Sequence, residues 1–342
     1  MKFIFEQHGD YTHITAENST GLVLTLASIG ASIRCVKLPM ADGVTKTVTL
    51  APLNEELFAA GYHGKTIGRT SGRICNATFS IDGKTATLER NNHGVDNLHG
   101  GASGLHAKVF DWQIVRSADY ADVVFSYTSP DGEGGYFGEV KLTVTYRVME
   151  RENTFRIVFD GKADCRTLLN LTNHVYWNLS GDLAESTKEQ TLFINAPRYG
   201  KLNERLIVEE VLPVSKQMDF TTPQKIGDYV YEDSVQLYTK GYDHPYFLAE
   251  APFSQLAASL YSAVSGVRLE VRTTYPCIVF YADGQARSDL EVLPGKYDEQ
   301  YLAACLECQY HPDGIHQAAS NCGVTSPDEP YHHEIEYKFL LD

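Results

Sequence analysis

The chain has 342 residues, of which 43% are hydrophobic and 21% charged, a balance that suits a soluble globular protein with a sizeable core and excludes a fibrous or disordered one. Its formal net charge of −15 argues against nucleic acid or an anionic membrane as the main partner, because both require a basic footprint. Seven scattered cysteines read as reduced thiols, the apolar run in MKFIFEQHGDY is too short for a signal peptide, and no stretch is long enough to cross a bilayer, so the expected setting is the cytoplasm.

In chain order, short alternating or apolar runs separated by turn residues read as strands from the start: KFIFEQ, YTHITAE, LVLTLAS, SIRCVKL and TKTVTLA. Asn54, followed by Glu55 and Glu56, caps a short helix that Gly61 stops. FSIDGKTATLER is a hairpin turning at Asp82-Gly83, and two strands follow between Val109 and Tyr127. GEVKLTVTYRVME alternates strictly, with Val140, Leu142, Val144, Tyr146 and Val148 on one face, and NTFRIVFDG returns after a turn. The next strand is LLNLTNHVYWNL, Leu168 to Leu179. Its period-2 faces differ: Asn170, Thr172, His174, Tyr176 and Asn178 on one side, Leu169, Leu171, Val175, Trp177 and Leu179 on the other, with Asn173 the exception. A row of amides, hydroxyls and an imidazole on an apolar backing is a surface for a polar ligand such as a sugar, with His174 as the candidate acid.

Beyond Gly181 the pattern loosens into long excursions as far as Lys240. Strands resume with SLYSA, VRLEVRTT, CIVFYAD, AACLECQY and EIEYKFLL. There is no β-then-helix rhythm, internal repeat or low-complexity linker, so the expected architecture is all-β: one domain over residues 1–342, a large antiparallel β-sandwich with one or two short helices.

Several residues stand out chemically. Arg73, in TIGRTSGRICNA, can present a fixed fork of donors to a ligand hydroxyl or serve only as a solvated loop arginine. His99, before Gly100-Gly101, sits where a backbone bend can present an imidazole to a cleft, although a loop histidine is often incidental. Asp243 in GYDHPY can accept hydroxyl protons or end a turn before Pro245. SPDGEGGYFG reads as a long turn, because Phe137 replaces the third glycine of a dinucleotide fingerprint. Cys305 and Cys308 are spaced like metal ligands, but on a strand they face opposite ways and no second such pair exists, so no metal is expected. Glu307 lies between them, an acid within an apolar strand. A carboxylate there is costly unless it is partnered or functional, which makes it the candidate base, with a structural ion pair as the alternative.

Taken together, SGRI (71–74), NLHGG (97–101), SPDGEGGY (129–136), NHVYWNLSG (173–181), YDHPY (242–246) and LECQYHPDG (306–314) make the chain resemble the aldose 1-epimerase family, the galactose mutarotases. The resemblance implies a β-sandwich of the galactose-mutarotase type that interconverts the α and β anomers of free monosaccharides without a cofactor. It implies Glu307 as general base, His174 as general acid, and Arg73, His99 and Asp243 as sugar-positioning residues. The chain departs from the family pattern at Gly72, where many relatives carry Asn, and in CIVFYAD, where some carry Gln; each departure removes one expected sugar contact. The chemistry asks for Glu307 ionised and His174 protonated together, a state that mutual proximity favours. The competing readings are a non-catalytic sugar-binding or sensing protein, a hexose-phosphate epimerase and a lyase of acidic polysaccharides. The sequence does not settle the oligomeric state.

Overall fold

The computed structural model describes residues 1–232, 235, 237–317 and 322–341. Among these residues the strands form one nine-stranded sheet, two five-stranded sheets and several two-stranded ladders, and every pairing between strands is antiparallel. The expected antiparallel architecture is therefore the one observed.

In the nine-stranded sheet Val140–Met149 pairs with Thr154–Ala163, which pairs in turn with the middle strand, Tyr331–Leu341. The alternation read from the sequence holds. Val140, Leu142, Val144, Tyr146 and Val148 are buried with Phe155, Ile157 and Phe159 in one continuous core, each such side chain contributing about 1.5–3 kcal/mol of transfer free energy. Ile14, Leu24, Leu26, Ile33 and Val36 from the N-terminal five-stranded sheet enter the same core. The predicted hairpin forms from Thr78–Ile81 and Lys84–Thr87, with Asp82 and Gly83 both at positive φ as its tight turn requires. The predicted helix is Glu55–Ala60, where the Asn54 side chain accepts from the Leu57 N–H and Phe58 is the buried residue. No described helix is long and apolar enough to cross a membrane. The glycine-rich Ser129–Gly138 stretch is a turn, as read, and the buried guanidinium of Arg69 ties it down by donating to the Ser129 and Pro130 carbonyls.

Three expectations change. The stretch Leu168–Leu179 is not one strand but three two-residue strands, Thr167–Leu168, Thr172–Asn173 and Tyr176–Trp177, each on a different partner. Its apolar face still enters the core, but most of the polar face does not form a binding surface. The Asn170 Oδ1 accepts from the Tyr310 N–H and the Asn178 Nδ2 donates to the Leu302 and Glu185 carbonyls, so these amides replace the ladder bonds a continuous strand would have made. The second change concerns the supposed excursions before Lys240, which contain the strands Thr191–Ile194, Arg198–Leu202, Val208–Pro213 and Gln224–Lys225; Asp233, Ser234 and Gln236 lie outside the described residues. Third, the turn that stood as the alternative reading of GYDHPY does not form. Asp243–Phe247 is the middle strand of the second five-stranded sheet, between Arg198–Leu202 and Cys277–Tyr281. The ladder to Arg198–Leu202 involves only Tyr246 and Phe247 and so stops short of Pro245, which has no N–H to give it. Gly200 makes room there, since a Cβ on it would lie 2.7 Å from Pro245 Cγ.

This sheet presents the functional face. Its register sets Asp243 beside Tyr281, Pro245 beside Val279, and Val279 beside Glu307, and the period of two carries Gln309 to the same side. The opposite face, with Tyr246, Ile278, Phe280, Leu306 and Cys308, is core.

Candidate active site

Over that face lies a cavity of about 510 Å³ lined by all five residues singled out in the sequence: Arg73, His99, His174, Asp243 and Glu307. Glu307 and Asp243 come from neighbouring regions of the sheet. Arg73 and His99 come from two loop motifs that the fold pairs, with Arg73 opposite Leu98 and Ile74 opposite Asn97. His174 follows the short strand Thr172–Asn173, where the Asn173 side chain donates to the Gly64 carbonyl and the Tyr146 hydroxyl.

Gly72 links the two loops. It sits at φ +70°, a conformation that favours glycine, and a Cβ would lie 3.1 Å from Pro312 Cβ. Its N–H donates to His99 Nδ1 at 3.2 Å, while the His99 N–H donates to the Gly72 carbonyl at 3.0 Å. Nδ1 is thereby an acceptor, and burial, with the nearby cationic groups, keeps this imidazole uncharged, so its remaining proton is on Nε2. The sequence counts Gly72 as a lost side-chain contact; in the structure the position acts through its backbone and orients His99.

His174 Nε2 stands 3.6 Å from Glu307 Oε1, and both residues are more than nine-tenths buried. Burial raises the Glu307 carboxyl well above the usual carboxylate range; the nearby Asp243 adds to the rise and the Arg73 charge opposes it. Burial likewise lowers His174 to about 4. This corrects the expectation of a charged resting pair, which counted attraction but not desolvation. The pair holds one proton between two sites, and burial favours its place on Glu307. Asp243 is raised to about 6 by burial, against the pull of Arg73, whose Nη1 is 3.9 Å from Asp243 Oδ2.

Other residues complete the walls. The Tyr176 ring stacks on His174 at 5.0 Å, and Tyr62 and Tyr281 close two more sides at 6.4 Å each. Arg73 Nε and Gln309 Oε1 are buried, have no hydrogen-bond partner in the protein, and belong to residues that line the cavity, so a polyhydroxy ligand has a donor and an acceptor there. Gln309 and Gln285 bring side-chain amides to the cavity wall, where the Cys277–Tyr281 strand brings none. Parity with Glu307 was the sequence signal for Gln309; Tyr62, alone in a loop, had none. His99, His174 and Glu307 also bring one ligand atom each within 4.8 Å of one another, a set able to hold a divalent ion, although spacing along the chain cannot reveal it.

The sequence pattern of the family described as aldose 1-epimerase matches residues 12–338. The chain is 31% identical to the aldose 1-epimerase of Escherichia coli K12 over 343 residues, covering 97% of this chain and 96% of that protein. It is 31% identical to the galactose mutarotase of Homo sapiens over 324 residues, or 94% and 92% of the two chains. Among solved structures, the galactose 1-epimerase of Lactobacillus acidophilus superposes with a TM-score of 0.85 at 26% identity, over 99% of this chain and 98% of that one. Sequence and fold thus agree, and the chain belongs to the aldose 1-epimerase family of isomerases.

Proposed function

We propose that the protein interconverts the α and β anomers of free aldoses, with hexoses such as galactose and glucose as substrates, Glu307 as base and His174 as acid. The observation that carries this reading is the His174–Glu307 pair at 3.6 Å on one wall of a polar, sugar-sized cavity. In ring opening the base takes the proton of the C1 hydroxyl while the acid gives one to the ring oxygen, and the C1–O bond breaks to leave an open-chain aldehyde. Rotation about C1–C2 and reclosure on the other face return both protons. No net proton is consumed, which suits a pair that holds one proton with two places for it. The Arg73 charge supports the ionised form of Glu307 when the proton moves to His174. Arg73, His99 Nε2–H and Asp243 fix the sugar so that the reacting atoms need little further ordering.

A free sugar is favoured over a sugar phosphate. Arg73 is the one Lys or Arg among the described lining residues, it faces Asp243, and Glu204 adds another acid. The resemblance implies no cofactor, and the rate is expected to be unchanged by a chelator.

The test is polarimetry on freshly dissolved α-D-galactose and α-D-glucose. Faster approach to anomeric equilibrium in the presence of the protein supports the proposal. Saturable binding of either sugar with no rate effect supports the sensor reading instead, and neither binding nor acceleration removes both. A further expectation concerns Asp243. As pH falls through about 6 the carboxylate gains a proton and stops accepting two sugar hydroxyls, so KM should rise toward acid pH. In Asp243→Asn, KM should be high throughout, with that pH dependence gone. A pH-independent KM in the native protein would remove Asp243 from sugar binding.

A further inference from the structure

We propose that Glu6, His8 and His13 form a binding site for a divalent transition-metal ion of the zinc type on the N-terminal hairpin, separate from the sugar cavity. The hairpin pairs Lys2–His8 with Tyr11–Glu17 and sets Glu6 directly opposite His13. Glu6 and His8 are two residues apart on one strand, so all three side chains stand on the same face. One ligand atom from each lies within 4.8 Å of the other two. His8 Nε2 is 4.0 Å from Glu6 Oε2, and the two imidazole rings are 4.1 Å apart.

The nitrogens are the informative atoms. His8 Nε2 is buried and has no hydrogen-bond partner in the protein, while the buried His13 Nε2 stands 3.2 Å from the Glu55 carboxylate, an interaction that a metal on this nitrogen would replace. Two imidazole nitrogens and a carboxylate oxygen are a zinc-type donor set, with the fourth position left to water. Bonds of about 2.0–2.2 Å bring such donors closer together than they stand here. The adjustment falls on Glu6 and His8, whose side chains are 67% and 32% exposed, while His13 is held by packing against Phe58.

The surroundings tolerate a cation. The three residues line a cavity of about 430 Å³ that shares no residue with the sugar site. Of the two cationic residues lining this cavity, Arg34 and Lys37, Arg34 is paired with Glu55, whose carboxylate also accepts from the Tyr11 hydroxyl and lies 3.2 Å from His13 Nε2. Lys2–His8 is the edge strand of its sheet and largely exposed, and a metal bridging it to Tyr11–Glu17 would clip that edge in place.

The experiment titrates the full chain with zinc chloride by calorimetry, using the native protein, His8→Asn and Glu307→Gln in parallel, with cobalt(II) absorption as a second readout. One equivalent should bind. His8→Asn, a change at a half-exposed residue, should weaken binding by about 10-fold or more, and Glu6→Gln should also weaken it. Glu307→Gln should leave it unaltered, and cobalt should show tetrahedral bands. Absence of saturable binding overturns the proposal, as does binding that survives His8→Asn. Binding lost in Glu307→Gln would assign the ion to the sugar cavity instead.

Discussion

Replacing Glu307 with Gln is expected to lower kcat by about 10²- to 10⁴-fold, the usual contribution of a positioned general base, with KM little changed. The amide has the size and shape of the carboxyl, so the row of Pro245, Val279 and residue 307 keeps its packing. Shape is preserved while basicity is lost. Glu307 is 4% exposed and burial already disfavours its charge, so an uncharged amide costs the fold no solvation it had retained. The variant should therefore melt at or slightly above the native temperature, which separates a chemical role from a structural one. The check is polarimetric kcat and KM alongside thermal unfolding. A variant with native kcat would remove Glu307 as base; one that loses activity together with its cooperative melt would return it to the role of a structural ion pair.

The local features of the fold were legible because they depend on neighbours in sequence. Strict alternation marked Val140–Met149, Asp82-Gly83 marked a hairpin, and Asn54 marked a helix start; each is a backbone preference that the tertiary structure did not oppose. What failed depended on partners far away. Leu168–Leu179 kept its parity but not its continuity, because its partners are three separate short segments. For Asp243 a Pro-terminated turn stays open in the sequence beside a ligand role, because Pro245 is rare within a sheet, and only the neighbouring Gly200 shows how the strand accommodates it. The site behaved likewise. Its residue types were readable from motifs, but their convergence from positions 73, 99, 174, 243 and 307 was not. Proximity of Glu307 to His174 suggested a charged pair; burial of both, which only the assembled fold reveals, reverses that expectation.

His174→Asn is expected to lower kcat by a similar factor of about 10² to 10⁴, since the ring oxygen loses its proton donor while the packing against Tyr176 is largely kept. The pH profile distinguishes this role from mere positioning. The working pair carries one proton, so kcat/KM should fall at acid pH when the pair gains a second, and at alkaline pH when it loses the only one. Lowering of His174 to about 4 puts the acid limb far down, and the raised Glu307 carboxyl pushes the alkaline limb above the ordinary carboxylate range. In His174→Asn, Glu307 has no partner with which to share the proton, so both limbs should shift. Glu307→Gln combined with His174→Asn should be no slower than the slower single variant, within about the scatter expected of residues that act as a unit. If the two losses multiply instead, the residues work independently, and the shared proton is not how this site opens the ring.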